Sequence, residues 1–252
     1  MRLSFSKLDL YEFCPYAYRF RYVERVPAPF SAGIAVGSIV HAVLRTFFER
    51  IKSGLSTTRE DLHHLHVGYW DDAPVLDRER FRDIWIRAEA LLGEFWVTNC
   101  DDFGVPVMLE HRFRLGVDGE DLYSIEGVID RVDVAPGGME VIDYKSGASS
   151  TDLSHRLRTQ LHTYALAVEH CSGCPVTRLT AYFLKDNQVR SMVPDPEFAE
   201  NLLERFRALG SAVSVGSFDP TPGPRCRHCD YRDRCAFRST RALDDPGSSL
   251  RN

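Results

Sequence analysis

The stretch that most constrains the fold of this chain is GVIDRVDVAPGGMEVIDYKSG, residues 127–147. Apolar and polar residues alternate on both sides of a Pro-Gly-Gly turn, which is the pattern of two antiparallel strands joined by a hairpin. A four-residue loop over 135–138 places Asp130 directly opposite Asp143. A shorter turn at the two glycines instead places Asp130 opposite Lys145, with Asp143 as the diagonal neighbour. In both registers the two carboxylates lie within about 4.5–8 Å of each other, measured between Cβ atoms.

Two aspartates placed this close repel each other. The repulsion is roughly 3 kcal/mol at ~5 Å and an effective dielectric constant of ~20. Both lie in rows of valines, where an unpaired acid is costly, so an unrelated pair of surface charges is the weaker interpretation. A divalent cation would neutralise both, and oxygen ligands favour Mg²⁺ or Mn²⁺. Lys145 shares a strand face with Asp143, so its ammonium group can orient a water or a phosphate during hydrolysis.

Hydrophobic periodicity predicts the elements around this hairpin. The order is helices, three strands, a helix, two strands and a helix, which predicts an α/β fold. We expect helices at about 5–24, 32–52, 77–99, 152–171 and 195–211, a short helix within 55–78, strands at 106–115, 121–134, 139–145, 177–184 and 188–193, and a flexible tail at 239–252.

Four histidines are candidates for special roles. His41 lies at the core's edge on the wheel of the 32–52 helix, and a lone histidine there usually packs. His63, His64 and His66 could bind metal. Because no partner residues stand at a matching spacing, a solvated surface is the favoured interpretation for these three.

Several segments have a composition suited to nucleic acid, although the formal net charge of −5 argues against a passive nucleic-acid coat. Residues 16–22 interleave arginine with aromatic rings, and residues 225–241 carry six arginines against two aspartates. Gln160 and Tyr164 share a helix face that could present donors to a nucleotide. The alternative for residues 16–22 is an amphipathic helix that buries its aromatic rings. The alternative for Gln160 and Tyr164 is an ordinary pair of residues on a helix surface.

The seven cysteines favour metal or cluster ligation over disulfides. The N-terminus lacks a secretory pattern and no apolar run reaches the ~20 residues of a membrane span, so we expect a cytoplasmic protein without membrane contact. Cys226, Cys229 and Cys235 lie within ten residues of one another. Cys171 and Cys174 could join the first two of them in a zinc site, but the gap between the pairs is long.

Taken together, these motifs resemble the RecB-like branch of the PD-(D/E)XK nuclease superfamily. The resemblance implies a restriction-endonuclease-like core with a central mixed β-sheet flanked by helices. It also implies one domain over 1–238, with a helical part at 1–100, a sheet core at 101–195 and a C-terminal helix with a cysteine-bound segment at 196–238. The matching motifs are LSFSKLDLYEFCPYAYRF (3–20), GSIVH (37–41), GVIDRVD (127–133), VIDYKSG (141–147), QLHTY (160–164) and CRHCDYRDRC (226–235).

The resemblance also implies the roles of site residues. The expected metal ligands are His41, Asp130, Asp143 and the peptide carbonyl of Tyr144. Lys145 becomes the catalytic lysine, Gln160 and Tyr164 lie near the DNA, and Glu110 is a weaker candidate for an outer ligand or water contact. The second acid of the motif is Asp143 rather than glutamate, which leaves this chemistry plausible.

Within that branch, the cysteines resemble a subgroup that includes AddB-type nucleases and CRISPR-adaptation exonucleases. A 4Fe-4S cluster held by Cys14, Cys226, Cys229 and Cys235 is then expected, with zinc as the alternative. Arg232 and Arg234, between those cysteines, would guide a DNA strand.

The function that the resemblance implies is a metal-dependent DNA exonuclease acting on single strands or ends in repair, recombination or defence. Spacer processing in CRISPR adaptation is the alternative enzymatic role, with adaptation proteins as partners. A non-catalytic DNA-binding partner of a helicase is the alternative without catalysis.

Overall fold

The computed structural model describes residues 1–55, 57–71, 81–117 and 122–238. Its elements follow the predicted order except for a short first strand, Arg2–Leu3, that the sequence pattern did not predict. The helices are α1 (Phe5–Phe13), α2 (Pro15–Tyr18), α3 (Ala32–Lys52), α4 (Arg59–Asp71), α5 (Arg82–Asn99), α6 (His155–Ser172) and α7 (Pro196–Ser214). The strands are β1 (Arg2–Leu3), β2 (Met108–Gly116), β3 (Ser124–Ala135), β4 (Gly138–Lys145), β5 (Val176–Phe183) and β6 (Gln188–Met192). The predicted tail at 239–252 and the start of the helix predicted from Asp77 lie outside the described residues.

The chain is organised in two compact units. The first comprises Met1–Phe30, Gly116–Ile125 and the chain from Leu203 onward. The second comprises Ser31–Leu115 and Glu126–Leu202. The single domain expected over 1–238 stays a prediction.

The second unit is built on a mixed β-sheet. Strand β3 pairs with β2 and runs antiparallel to β4, β4 runs parallel to β5, and β5 runs antiparallel to β6. The parallel pair is joined by α6, which packs against β4 and β5 as a crossover helix must. In the first unit, β1 pairs in parallel with the beginning of β3. The expected mixed sheet flanked by helices is confirmed.

The hairpin between β3 and β4 adopts the first of the two predicted registers. Val134 pairs with Met139, and the same register continues along the strands toward Asp130 and Asp143. The turn at Gly137 and Gly138, which would have placed Asp130 opposite a lysine, is wrong. The four-residue loop is wrong as well, because Ala135 pairs with Gly138 and leaves a two-residue turn at 136–137, but the register that it predicted is the one observed. Gly137 lies at φ 77°, in the left-handed region that glycine enters without steric cost, and this explains why a glycine follows the proline of the turn.

The single helix predicted over residues 5–24 is wrong, because the chain leaves the helix at Cys14. That residue has φ −167° and ψ 116°, which is extended backbone. It precedes Pro15, whose ring disfavours helical backbone in the residue before it. Helix α2 then begins at the proline and continues into a π-helical turn, Arg19–Val23. Cys14 therefore stands at the junction of the two helices, where its N–H donates to Leu10 of α1 and its carbonyl accepts from Tyr18 of α2.

Helix α3 is the core helix of the second unit. The side chain of Ser31 accepts a hydrogen bond from Ile34 N–H at 3.4 Å and caps it. By length and composition alone this helix of 21 residues could cross a membrane, because an 18-residue window within it has a mean hydropathy of 1.3. Its apolar stripe is instead buried against α4, α5 and the sheet, with Phe47 and Phe48 fully enclosed. The stripe is therefore accounted for by packing within the unit.

The expectation of a solvated histidine group is wrong for His66. Its side chain is 0% exposed and stacks on Trp85 with ring centroids 3.5 Å apart. His63 and His64, on the same helix, are exposed. Burial, followed by the nearby His63, lowers the pKa of His66 to about 4. His66 is therefore a neutral core residue at pH 7.

This depressed pKa predicts acid sensitivity. The unfolded chain binds a proton at His66 below about pH 6.5, whereas the folded chain does so only below about pH 4. The free energy of unfolding should therefore fall by up to about 3 kcal/mol as pH drops through that window. His66→Phe, which keeps an aromatic stack on Trp85, is expected to remove this component. Urea unfolding with a chelator at several pH values measures it; an unchanged pH dependence in the variant, relative to His64→Ala, would contradict the assignment.

Candidate metal centre and active site

An open cleft of about 620 Å³ lies in the second unit, beside the middle of β3 and the C-terminal end of β4. The first turns of α3 form one wall, and the first turns of α6 form another. The polar residues that line it include His41, Glu110, Asp130, Asp143, Lys145, Arg156 and Gln160. Most of the residues singled out in the sequence as catalytic candidates therefore meet in one place.

Three side chains in the cleft form a group with the spacing of metal ligands. One ligand atom from each of His41, Glu110 and Asp130 lies within 4.8 Å of the other two. His41 Nδ1 is 3.2 Å from Asp130 Oδ1, and its Nε2 is 3.0 Å from the carbonyl oxygen of Tyr144. Asp130 also accepts a hydrogen bond from Tyr144 N–H at 2.9 Å. The carbonyl that the resemblance singled out thus lies beside the imidazole.

Asp143 lies next to this group but is held by a different set of partners. It is 1% exposed, and Lys145 Nζ stands 2.5 Å from its Oδ2. Gln160 Nε2 donates to its Oδ1 at 2.9 Å, while Gln160 Oε1 accepts from Lys145 Nζ at 2.8 Å. Gln160 also donates to the hydroxyl of the buried Tyr164 at 2.9 Å. One amide therefore fixes the relative positions of the acid and the lysine.

The cleft concentrates negative charge in a poorly solvated place. Burial, followed by the charge of Asp130, raises the pKa of Asp143 to about 6. Burial and Asp130 also raise the pKa of Glu110 above its ordinary value. Burial opposes the charging of His41, but its hydrogen bond to Asp130 and the surrounding carboxylates outweigh this and raise its pKa to about 9. A cation bound at the imidazole would have to replace that proton.

Glu110 is more central than the sequence suggested. Its backbone lies at φ 41°, in the left-handed region that a non-glycine residue rarely enters within a strand. Such strain clusters at functional sites, where surrounding structure maintains it. No pattern in the sequence announces it, because strand alternation alone gives Glu110 no special place. In the structure Glu110, rather than Asp143, completes the group of three ligand atoms.

Arg156 is a cleft residue that the sequence motifs did not single out. It is exposed on the first turn of α6 and lines the cleft. It stands four residues before Gln160, so the two share a helix face. That spacing from the QLHTY motif is the signal in the sequence for a positive charge beside the carboxylates.

The four cysteines singled out by the resemblance line one cavity in the first unit. Burial raises the pKa of the Cys229 thiol, and its proximity to Cys14, Cys235 and Cys226 adds to this. Backbone N–H groups donate to sulfur at two of them, from Thr221 to Cys14 at 3.5 Å and from Gly223 to Cys226 at 3.4 Å. Within the described part of the chain, these thiols do not form a group of three within 4.8 Å.

The other predicted contacts lie in different surroundings. Arg232 and Arg234 are exposed on a short 3₁₀ turn of the first unit. Gln160 and Tyr164 are engaged with each other and with the acid and lysine of β4. Cys171 and Cys174, the other half of the zinc alternative, are exposed residues of the second unit.

Comparison with known proteins agrees with this architecture. Residues 2–236 match the PD-(D/E)XK nuclease superfamily. The Gene 69 protein of Mycobacterium phage D29 is 25% identical over 92% of this chain and 95% of its own length, and that of phage L5 is 23% identical with the same coverage. An ATP-dependent helicase/deoxyribonuclease subunit of Desulforudis audaxviator is 28% identical over 82% of this chain, which corresponds to 22% of that protein. The mixed sheet flanked by helices is consistent with a restriction-endonuclease-like core.

Proposed function

Because this chain belongs to the PD-(D/E)XK nuclease superfamily, we propose that it is a metal-dependent DNA exonuclease acting on single strands or DNA ends. The observation that carries the proposal is the meeting of an imidazole, three carboxylates and a lysine in one open cleft. A non-catalytic DNA-binding role would give no reason for the strained backbone at Glu110 or for the short distance between Asp143 and Lys145.

The residues of the cleft fit a divalent cation. The proposed protein donors are His41, Asp130, Glu110, the Tyr144 carbonyl and, next to them, Asp143. Oxygen donors dominate this set, which suits Mg²⁺ or Mn²⁺, and the imidazole is tolerated by the softer Mn²⁺. When bound, such a cation polarises a phosphate and lowers the pKa of a bound water.

Lys145 has the position of the catalytic cation. Its Nζ donates to Gln160 Oε1 at 2.8 Å and forms an ion pair with Asp143 Oδ2 at 2.5 Å. Because an ammonium group has three donors, these contacts leave it able to donate to a phosphate oxygen or the attacking water. In hydrolysis the water oxygen forms a bond to phosphorus while the bond from phosphorus to the 3′ oxygen breaks. One water proton is released and the leaving oxygen takes up another. The ammonium group stabilises the negative charge that develops on the phosphate.

The cysteine cavity is proposed to hold a 4Fe-4S cluster through Cys14, Cys226, Cys229 and Cys235. Tetrahedral zinc with four thiolates needs sulfur atoms about 3.8 Å apart. No three of these thiols lie within 4.8 Å of one another among the described residues, which favours a larger cluster, and backbone N–H groups donate to two of the sulfurs. Zinc is the alternative.

The biological setting is also a proposal. The name of the D. audaxviator relative joins a helicase to a deoxyribonuclease, which supports a helicase as partner in cytoplasmic repair, recombination or defence. CRISPR adaptation stays the alternative role, because it would use the same site residues. Arg232 and Arg234, and the face of α6 that carries Gln160 and Tyr164, are the proposed DNA contacts.

Cleavage of matched DNA substrates tests this function. With Mg²⁺ or Mn²⁺ we expect linear single strands to be degraded and circular single strands to survive, and a chelator to stop the reaction. Asp130→Asn should lower the rate about 100-fold or more, because it removes a charged ligand. The exposed Asp152→Asn serves as the control. Equal degradation of circles would contradict the exonuclease, and full activity of Asp130→Asn would contradict the site.

A further inference from the structure

We propose that the second unit holds another metal site, for zinc, between α4 and α5, with His63, His66 and Glu89 as its ligands. This site is separate from the nuclease cleft. It uses the histidine-rich segment, which the proposed hydrolysis leaves without a role.

The contacts between the two helices bring these residues to one place. Gly93 of α5 lies close to Arg59 of α4, since a Cβ atom added at the glycine would be 3.9 Å from the guanidinium group. Further along the pair, His63 Nδ1 is 3.1 Å from Glu89 Oε1, and His66 stacks on Trp85 at 3.5 Å.

These three contacts show that the helices run antiparallel. His66 stands one turn after His63, and Glu89 stands one turn after Trp85, so each pair shares a helix face. His63, His66 and Glu89 accordingly line the same cavity, which measures about 400 Å³.

His66 is the observation that points to a ligand. Neither of its ring nitrogens has a hydrogen-bond partner among the residues that the structure describes. Buried polar groups without partners are rare in native proteins, and a bound ion can supply the missing partner. The side chain of His66 is 0% exposed and lines the cavity, so water from outside does not supply that partner in this structure.

The chemistry of the set selects the metal. Two imidazoles and one carboxylate form a common zinc ligand set, whereas Mg²⁺ prefers oxygen alone. Arg59, Glu60 and Glu89 also line the cavity, which gives these three side chains a net charge of −1 and favours a cation. Leu62 and Leu92 form its apolar floor, which limits solvent at the ligands.

Binding requires a small movement of two side chains. As they stand, the three donor atoms do not all lie within 4.8 Å of one another. His63 and Glu89 have side chains that are 51% and 45% exposed, so both have room to rotate toward His66, which is fixed by its stack. A cation held this way would cross-link α4 to α5 beside the core helix α3.

Zinc uptake by the full-length protein tests this site. Saturating Mg²⁺ is added first to fill the oxygen-rich cleft. The zinc bound per chain is then measured in wild type and in His63→Ala, Glu89→Gln and His66→Phe. The matched control is His64→Ala, an exposed neighbour whose ring is 3.9 Å from Glu60. We expect wild type and the control to bind one more zinc than the three variants. At a zinc concentration 100-fold above the Kd, the Tm of wild type and of the His64→Ala control should also rise by about 5–10 °C, whereas the Tm of the three ligand variants should not.

Cobalt distinguishes this site from the cysteines. The component lost in His63→Ala should show d–d absorption without a thiolate charge-transfer band. Mg²⁺-dependent cleavage is expected to be unchanged in His63→Ala, so the outcome does not depend on the nuclease proposal. Equal zinc uptake by all variants, or an equal loss in the His64→Ala control, would overturn the site.

Discussion

Lys145→Ala is expected to lower the rate of Mg²⁺-dependent DNA cleavage about 1000-fold or more. Removing one group that stabilises developing charge in a water-excluded site costs about 100- to 1000-fold. Here the same substitution also leaves the buried carboxylate of Asp143 without its cation, 2.5 Å away, which adds to the loss. Single-turnover cleavage of end-labelled DNA measures the effect. Lys185→Ala is the matched control, since Lys185 is exposed on the turn after β5.

Binding of Mn²⁺ to the same variant separates two explanations of the loss. If the amine acts on the phosphate, Lys145→Ala keeps its Mn²⁺ affinity within a few fold while cleavage disappears. If the lysine serves only to keep Asp143 ionised, affinity and cleavage fall together, because burial already raises the pKa of that acid to about 6. Wild-type cleavage by the variant would contradict both and remove Lys145 from the site.

The local parts of this site could be predicted from the sequence because they depend on strand geometry. The side-chain period of two places Asp143 and Lys145 on one face, and the Pro-Gly-Gly turn leaves two registers to choose between. Choosing between them required the observed pairing of Val134 with Met139. Strand geometry was thus enough to predict that the two carboxylates lie close together. Their register could be assigned only from the folded structure.

The features that the sequence did not predict depend on tertiary contacts or on backbone strain. The position of Glu110 rests on a left-handed φ of 41°, which no propensity predicts for a glutamate in a strand. The burial of His66 depends on where α5 places Trp85. The break at Cys14 is a different case, because the following proline announces it and the helical periodicity of residues 5–24 concealed it.

Gln160 makes contacts in the structure that its motif did not predict. Its spacing from Tyr164 allowed a helix face that presents donors to a nucleotide, with a plain surface pair as the alternative, and the resemblance placed both residues near the DNA. The structure shows its amide bridging Asp143, Lys145 and Tyr164 within the protein. An amide with both a donor and an acceptor can hold an acid and an amine at once, which a purely donating residue cannot. This bridging explains why an amide side chain stands opposite the acid and lysine of β4.

Cys14→Ser is expected to remove all iron and acid-labile sulfide from anaerobically purified protein. Cys14 stands near the N-terminus and the other three proposed ligands lie at 226–235, so a cluster would link distant segments of the first unit. Because metal binding of this kind is coupled to folding, the variant should also become sensitive to proteolysis within that unit. The exposed Cys171→Ser is expected to keep its iron and to resist protease as wild type does.

The metal found in wild type decides between cluster and zinc. Four irons with four sulfides per chain, lost in Cys14→Ser, would support the cluster. One zinc that resists saturating Mg²⁺, persists in His63→Ala and is lost in Cys14→Ser would keep the four-cysteine site and overturn its cofactor. Iron retained in Cys14→Ser would remove Cys14 from the ligands, and its loss in Cys171→Ser would favour the set that includes Cys174. Zinc makes a further demand on the fold, because a single tetrahedral ion must draw all four sulfurs to about 3.8 Å of one another, whereas no three of them lie within 4.8 Å of one another in the described part of the chain.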